Sequence, residues 1–438
     1  MSDVKPVVSP EGIPVSNPYG SSRAQWYALS LLTVVYAFNF IDRQLLAILQ
    51  EDIKADLALS DSQLGLLTGF AFAIFYVSAG IPIARWADRG NRRDILALSL
   101  VIWSGMTAVC GLVQNYAQLL LARVGVGIGE AGGSPPSHSI ISDIFPPNRR
   151  ATAIGVYSTG LSIGILFGFL AGGWLNEFFG WRTAFVVVGL PGVALAVVLR
   201  LTLAEPIRGI HDAAGQGPES SSFGEALGVL FSRPTFRHMA LAGGLNAFCA
   251  YATANWMASY LIRSFGMSTG EIGTWLALII GLGGAVGVLG GGMLADRLSA
   301  RDKRWYTWIP ALAGAIMIPF MLLVYTATTG RAVLLLSIIP GVLFQVYLAT
   351  TVATTHAVVS PRMRATASAV LYLILNIVGL GLGSWVIGSL SDALADSKGS
   401  ESLRYALLYT LPPVMTWSAL HYWLAGRKLR EDIARAPD

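Results

Sequence analysis

Four charged side chains sit inside apolar runs, where charge is costly: Asp42, Arg43, Arg123 and Glu130. They are four of 55 Asp, Glu, Lys and Arg residues in the chain. In hydrocarbon each costs a few kcal/mol, so each needs a partner or water. Two carboxylates and two guanidiniums at such depth suit one chemistry. A carboxyl trades protons with a water-filled cavity, and an arginine released by it takes an anion. The competing reading is an ion network that only ties two helices together. Arg123 and Glu130 are seven residues apart, so they share one helix face two turns apart. At about 1.5 Å per residue, Asp42 lies ~12 Å, Arg123 ~9 Å and Glu130 ~20 Å below the outer boundary. That matching depth predicts Asp42 facing Arg123, with Glu130 nearer the midplane. Arg43 either snorkels outward or serves a gate.

Placing such charges takes long apolar helices, and the composition supplies them. Of 438 residues, 54% are hydrophobic and 13% are charged, against about 25% charged in soluble domains. Apolar segments of about 20 residues, each long enough for a ~30 Å hydrocarbon core, recur at 25–50, 62–86, 93–113, 117–142, 149–175, 182–203, 236–262, 271–297, 305–326, 332–358, 362–391 and 403–426. The runs are continuous rather than alternating, which favours helices over a barrel. Cys110 and Cys249 read as buried thiols, with no disulfide framework.

Lys and Arg set the orientation. With the N-terminus inside, cytoplasmic segments hold 22 of the 30, the external side six, and only Arg43 and Arg123 stay within the membrane. Twelve spans with both termini inside follow, and the +5 net charge becomes topology rather than a nucleic-acid signal. The first residues lack the basic-then-apolar order of a signal peptide. The expected organisation is a cytoplasmic tail at 1–24, a six-helix bundle at 25–203, a cytoplasmic linker at 204–235, a second six-helix bundle at 236–426 and a cytoplasmic tail at 427–438. The linker begins as a flexible stretch with Gly209, Gly215, Gly217 and Pro218. Ser222-Phe223-Gly224-Glu225 then fits a capping box opening a short amphipathic helix.

The halves echo each other. Gly292-Met293-Leu294-Ala295-Asp296-Arg297 repeats Ala84-Arg85-Trp86-Ala87-Asp88-Arg89, and Pro361-Arg362-Met363-Arg364-Ala365-Thr366-Ala367 repeats Pro147-Asn148-Arg149-Arg150-Ala151-Thr152-Ala153. Such parallel repetition implies two bundles related by an axis along the membrane normal.

These motifs resemble those of the major facilitator superfamily over essentially the whole chain. The loop between spans two and three, Ala84 to Arg93, is similar to the family's Gly-x-x-x-Asp-Arg-x-Gly-Arg-Arg/Lys signature, with Ala84 for the first Gly and Gly90 displaced by one. Arg123 with Gly127, the glycines Gly155, Gly164, Gly168, Gly172 and Gly173, and Gly180-Trp181-Arg182 are also family-like. Phe169 stands where the exporter-associated motif has Pro. Phe38-Asn39-Phe40-Ile41-Asp42-Arg43, Gly125-Val126-Gly127-Ile128-Gly129-Glu130-Ala131 and Ser142-Asp143-Ile144-Phe145 resemble the Spinster group of lipid transporters. The resemblance implies an all-α membrane protein of twelve helices in two pseudo-symmetric bundles. It also implies an inner gate at the cytoplasmic mouth, formed by Asp88, Arg89, Arg92 and Arg93 and by Asp296 and Arg297. Asp88 sits near the start of span eleven, where the helix dipole and Arg364 favour an anion, and by symmetry Asp296 faces the start of span five and Arg150. Eukaryotic members of the group export sphingosine-1-phosphate or lysophospholipids.

Spans seven to eleven carry no acid or base in mid-membrane that must be charged. Their polar residues include Asn246, Asn255, Gln345, Thr350, Thr351, Thr354, Thr355, His356 and Asn376, and a lone histidine such as His356 reads as a packing residue. A charged wall facing an apolar one suits an amphiphile. Gly127-Ile128-Gly129-Glu130-Ala131-Gly132 matches a dinucleotide fingerprint and Gly160-Leu161-Ser162-Ile163-Gly164 a nucleophile elbow, but each needs a strand before it, and here each lies mid-helix. No enzyme, cofactor or metal pattern emerges, and without a nucleotide-binding loop the energy source is an ion gradient, read as protons. The expectation is a monomeric, non-enzymatic, proton-coupled secondary transporter in a bacterial inner membrane. It moves an amphiphilic anion by alternating access. Asp42, Glu130 and Arg123 couple protons, and Arg123, Glu130, Asp42, Arg43 and Asn39 bind substrate. The alternatives are a transporter of a polar organic anion or drug, and a non-transporting receptor.

Overall fold

The computed structural model describes residues 7–8, 14–15, 18–211 and 223–435. Gly215, Gly217, Pro218 and Ser222, and with them the proposed capping box, lie outside the described residues. Beyond one two-residue antiparallel pairing, Val7–Val8 with Pro14–Val15, the described chain is helical.

Among the described residues, eight helical stretches are long and apolar enough to cross a membrane. Two of them turn back on themselves. Pro147–Thr202 breaks at Gly180, whose φ of 78° is open to glycine without strain. Pro361–Ala434 turns at Gly399, φ 55°. Two further helical segments, Tyr116–Glu130 continued by Ser134–Ile144, and Pro234–Phe265, complete twelve traverses. The expected segments are all helical, and several run past the apolar core. Span one is Ser22–Leu57, because Ser21 caps its start, accepting from the Ala24 N–H at 3.3 Å, and Ala58 ends it in the left-handed conformation. A capping box of Ser60 and Gln63 starts span two.

Glycines set how closely spans one and five approach. A Cβ on Gly164 would stand 2.4 Å from the Ala37 carbonyl oxygen, and one on Gly160 2.6 Å from that of Thr33. The nucleophile-elbow lookalike is therefore a packing seam. The dinucleotide lookalike is one too, since Gly129 abuts the Trp103 backbone.

The two bundles meet tightly at the face opposite the termini. There Arg263 of span seven bridges Glu51 and Asp61 of the first bundle at 2.7 Å each. Asp392 accepts from the Asp61 and Ser62 N–H groups at 2.9 and 2.8 Å, capping span two from the other half. Gln50 donates to the Asn255 carbonyl and to Ser259, and Gly270 N–H donates to Glu177 at 2.7 Å. Towards the face bearing the termini the bundles part around a central cavity. Spans two, eight and eleven each contain a π-helical segment at the margin of that cavity, Leu66–Phe70, Ala277–Leu282 and Leu375–Leu382.

In this conformation the expected gate contacts are open. Asp88, Arg89, Asp296, Arg297 and Arg364 are exposed, and the pairings of Asp88 with Arg364 and of Asp296 with Arg150 are not made. Asp296 accepts instead from Tyr306, and Arg150 donates to the Ser142 carbonyl. Arg92 is buried and binds Asp143, Glu205 and Ser139, while Arg93 pairs with Asp94. Both belong to a staple within their own half. The first residues of the linker are not loose either. Glu205 and the Pro206 carbonyl hold Arg92, Gly209 N–H donates to Asp143, and Arg208 donates to the Ala87, Asp88 and Gly90 carbonyls at the end of span two.

Candidate functional site

The central cavity has a volume of about 970 Å³ and is lined by both halves. Span one brings Arg43 to it from one side and span four brings Arg123 from the other. Both guanidiniums lie over Phe72, at 4.9 and 5.6 Å from the ring centroid. Arg43 also lies over Phe40 and Tyr76, at 4.8 and 5.1 Å, so three rings hold its cation by quadrupole attraction.

Of the expected pairings, one changes partner. Glu130 binds Arg43, with Nε donating to Oε2 at 2.6 Å. The expected close Asp42–Arg123 ion pair is not formed. Asp42 is fully buried, and among the described residues neither of its carboxylate oxygens has a hydrogen-bond partner; Nε and Nη1 of Arg123 and Oε1 of Glu130 are in the same position. Each buried charge left without a protein partner carries its desolvation cost. Arg43 and Arg123 face the cavity, whereas Asp42, Glu130 and Asn39 are buried behind them. The acids therefore reach the cavity through the arginines.

The second-half wall is mostly apolar, with residues such as Leu276, Ile279, Val288 and Met321. Several polar residues of the second half are occupied. Asn246 donates to the Phe344 carbonyl, Asn255 to Ser384, and Asn376 to the Tyr372 carbonyl. His356 shares a 2.6 Å hydrogen bond with Ser368.

Three groups were not picked out by their residue types. Arg263 counts in the sequence only as one of six external basic residues, yet its two bidentate pairs join the halves. The cage of Phe40, Phe72 and Tyr76 depends on two spans distant in sequence. His138, in an unremarkable Ser-Pro-Pro-Ser-His run, faces the cavity. The loop between spans eight and nine carries a perturbed group outside the membrane. Asp302 is held down at about 2 by hydrogen bonds from Arg304, with a further one from Arg430.

Residues 32–416 match the description of the Major Facilitator Superfamily. The chain is 36% identical over 415 residues, 95% of each chain, to an MFS-type efflux pump of Mycolicibacterium smegmatis. It is 27% identical over 410 residues to the sphingosine-1-phosphate transporter SPNS2 of Danio rerio, covering 88% of this chain and 81% of that one. Among solved structures it is similar to a bacterial homologue of the human lysosomal transporter Spinster in an inward-facing, unoccupied conformation. The TM-score is 0.83 and the identity 34%, covering 94% of this chain and 99% of the other.

Proposed function

Because this chain belongs to the Major Facilitator Superfamily and has the fold of its transporters, we propose that it moves an amphiphilic, lysolipid- or sphingolipid-like anion by proton-coupled alternating access. One observation carries the reading: two arginines on one wall of a 970 Å³ cavity face a wall that is mostly apolar, with Thr253, Asn255, Ser337, Gln345 and Asn376 as its non-aromatic polar residues. An anionic head group pairs with Arg43 and Arg123, and a hydrocarbon tail lies along spans seven, eight and ten. A small polar anion would leave that apolar wall wet, a mismatch that grows with every Å² left exposed.

Glu130 is the switch. Ionised, it holds Arg43 at 2.6 Å and neutralises the cation. Once protonated, it releases the guanidinium, which then takes the anionic head. Asp42, on the same side of the cavity and close enough to feel both arginines and Glu130, is the second proton carrier. The termini lie on the cytoplasmic side of a bacterial inner membrane, since that face collects 22 of 30 basic residues. The conformation is then inward-open, with the Arg263 bridge sealing the outside.

Purified protein in liposomes, assayed with a lysolipid and with a sugar acid under an imposed pH gradient, tests the proposal. Gradient-dependent lysolipid movement that is lost in Glu130→Gln is expected. Movement of the sugar acid alone refutes the amphiphile. Unchanged pH dependence in both Asp42→Asn and Glu130→Gln refutes the coupling.

A further inference from the structure

His138 lies on the helix Ser134–Ile144, which continues span four beyond Glu130. Its ring packs edge-on against Tyr157 at 5.2 Å, and Tyr157 stacks on Tyr36 at 4.5 Å. Tyr157 is 1% exposed, so the imidazole is held by a fixed support. The ring itself opens onto the cavity. Among the described residues neither ring nitrogen has a hydrogen-bond partner. Neighbouring Ser158 and Thr159 also line the cavity, but their hydroxyls already donate to the Ile154 and Val156 carbonyls at 2.8 and 2.7 Å. They offer lone pairs only, whereas a neutral imidazole offers one donor and one acceptor. A hydroxyl group, itself donor and acceptor, complements that set.

Its distance from the anion site is set by the helix. His138 is eight residues beyond Glu130, across the turn Ala131–Gly133, which places it about 12 Å or more along the axis from the Glu130–Arg43 pair, and Arg123 lies farther still. An extended chain gains about 1.2 Å per bond, from 3.3–3.6 Å per three backbone bonds. About nine or ten bonds are therefore the least that spans this separation, while the five carbon–carbon bonds of a six-carbon sugar acid span only about 6 Å.

We infer that His138 is a specificity-determining residue of the cavity, selecting amphiphilic anions that carry a hydroxyl at least nine bonds from the charged group. The inference rests on the amphiphile reading above and narrows it. The anion sits at Arg43 and Arg123, the hydroxyl meets His138 towards the mouth, and the remaining tail follows the apolar wall.

The test is equilibrium binding to the purified full-length protein, using stearate, 10-hydroxystearate and 2-hydroxystearate as probes, with D-galactonate as the sugar-acid arm. One well-made hydrogen bond predicts that 10-hydroxystearate binds roughly five- to tenfold tighter than stearate, with no gain for 2-hydroxystearate. His138→Phe keeps the ring against Tyr157 and should erase the gain while moving stearate affinity less than twofold. His138→Gln should restore most of it. The inference is overturned if the 10-hydroxyl gain persists in His138→Phe, if 2-hydroxystearate gains equally, or if wild type binds stearate with no hydroxyl preference; in these cases the amphiphile reading stands. If wild type binds galactonate and no fatty acid, or binds none of the four probes, both fall.

Discussion

Removing Arg263 should unseal the outer face. Its guanidinium makes four contacts: Nε and Nη2 to Glu51 at 2.9 and 2.7 Å, and Nη1 and Nη2 to Asp61 at 2.7 Å each. The side chains of Arg263, Glu51 and Asp61 are 13, 15 and 3% exposed. Breaking a buried pair from one side costs about 3–5 kcal/mol, because the partner stays buried and uncompensated. Two features reduce that here. Lys54 still reaches Asp61 at 2.6 Å, and Glu51 keeps some contact with solvent. A loss of about 2–4 kcal/mol from the sealed state is therefore expected. Since each 1.4 kcal/mol is tenfold, the outward-open population should rise roughly 30- to several-hundred-fold wherever the sealed state dominates. A cysteine at Thr253, which lines the cavity, reports this through its reaction with a membrane-impermeant maleimide added from the outer face. Native Cys110 and Cys249 are fully buried and stay silent. Arg263→Ala should speed labelling by the same factor, roughly 30- to several-hundred-fold. Arg263→Lys, which keeps the charge but loses the bidentate geometry, should fall between. A rate equal to wild type in folded Arg263→Ala would refute the assignment of this cluster as the outer seal.

Four other outcomes are expected. Glu130→Gln should uncouple transport from pH with folding intact, and Asp42→Asn should shift the pH dependence; a transport-versus-pH profile in liposomes reads both. Gly164→Leu should cost at least about 1–3 kcal/mol through overpacking, since even a Cβ there would stand 2.4 Å from the Ala37 carbonyl; thermal unfolding in detergent measures it. Asp88→Ala should favour the inward-open state by removing the acid that would meet Arg364 on closure, and unchanged cysteine accessibility at the inner mouth would contradict this. Asp302, whose folded pKa is depressed to about 2 from 3.8, adds stability that is fully present above pH 4. As pH falls from 4 towards 2 that stability is lost, and Asp302→Asn should remove that part of the acid dependence of unfolding.

Hydropathy, arginine placement and the doubled motifs at Asp88 and Asp296 determined the twelve helices and their two-fold arrangement. These are properties of local sequence: a span needs about twenty apolar residues, and a loop advertises its charge. The four intramembrane charges were equally legible, because such residues are rare against an apolar background. Which of them meet was not legible. The pairing of Glu130 with Arg43 rather than Asp42 with Arg123 depends on helix rotation, which glycine contacts such as Gly164 on Ala37 decide. Nor did residue type reveal that Arg263 locks the halves or that Arg92 and Arg93 merely staple one of them, since an arginine at a helix end looks alike in either role. His138 acquired its place only when spans one, four and five closed around it, turning an ordinary helix residue into a cavity wall. Local sequence specified what each helix is. Packing between helices decided which side chains share the cavity, because contacts between distant segments are set by close-packed shape rather than by any single stretch of chain.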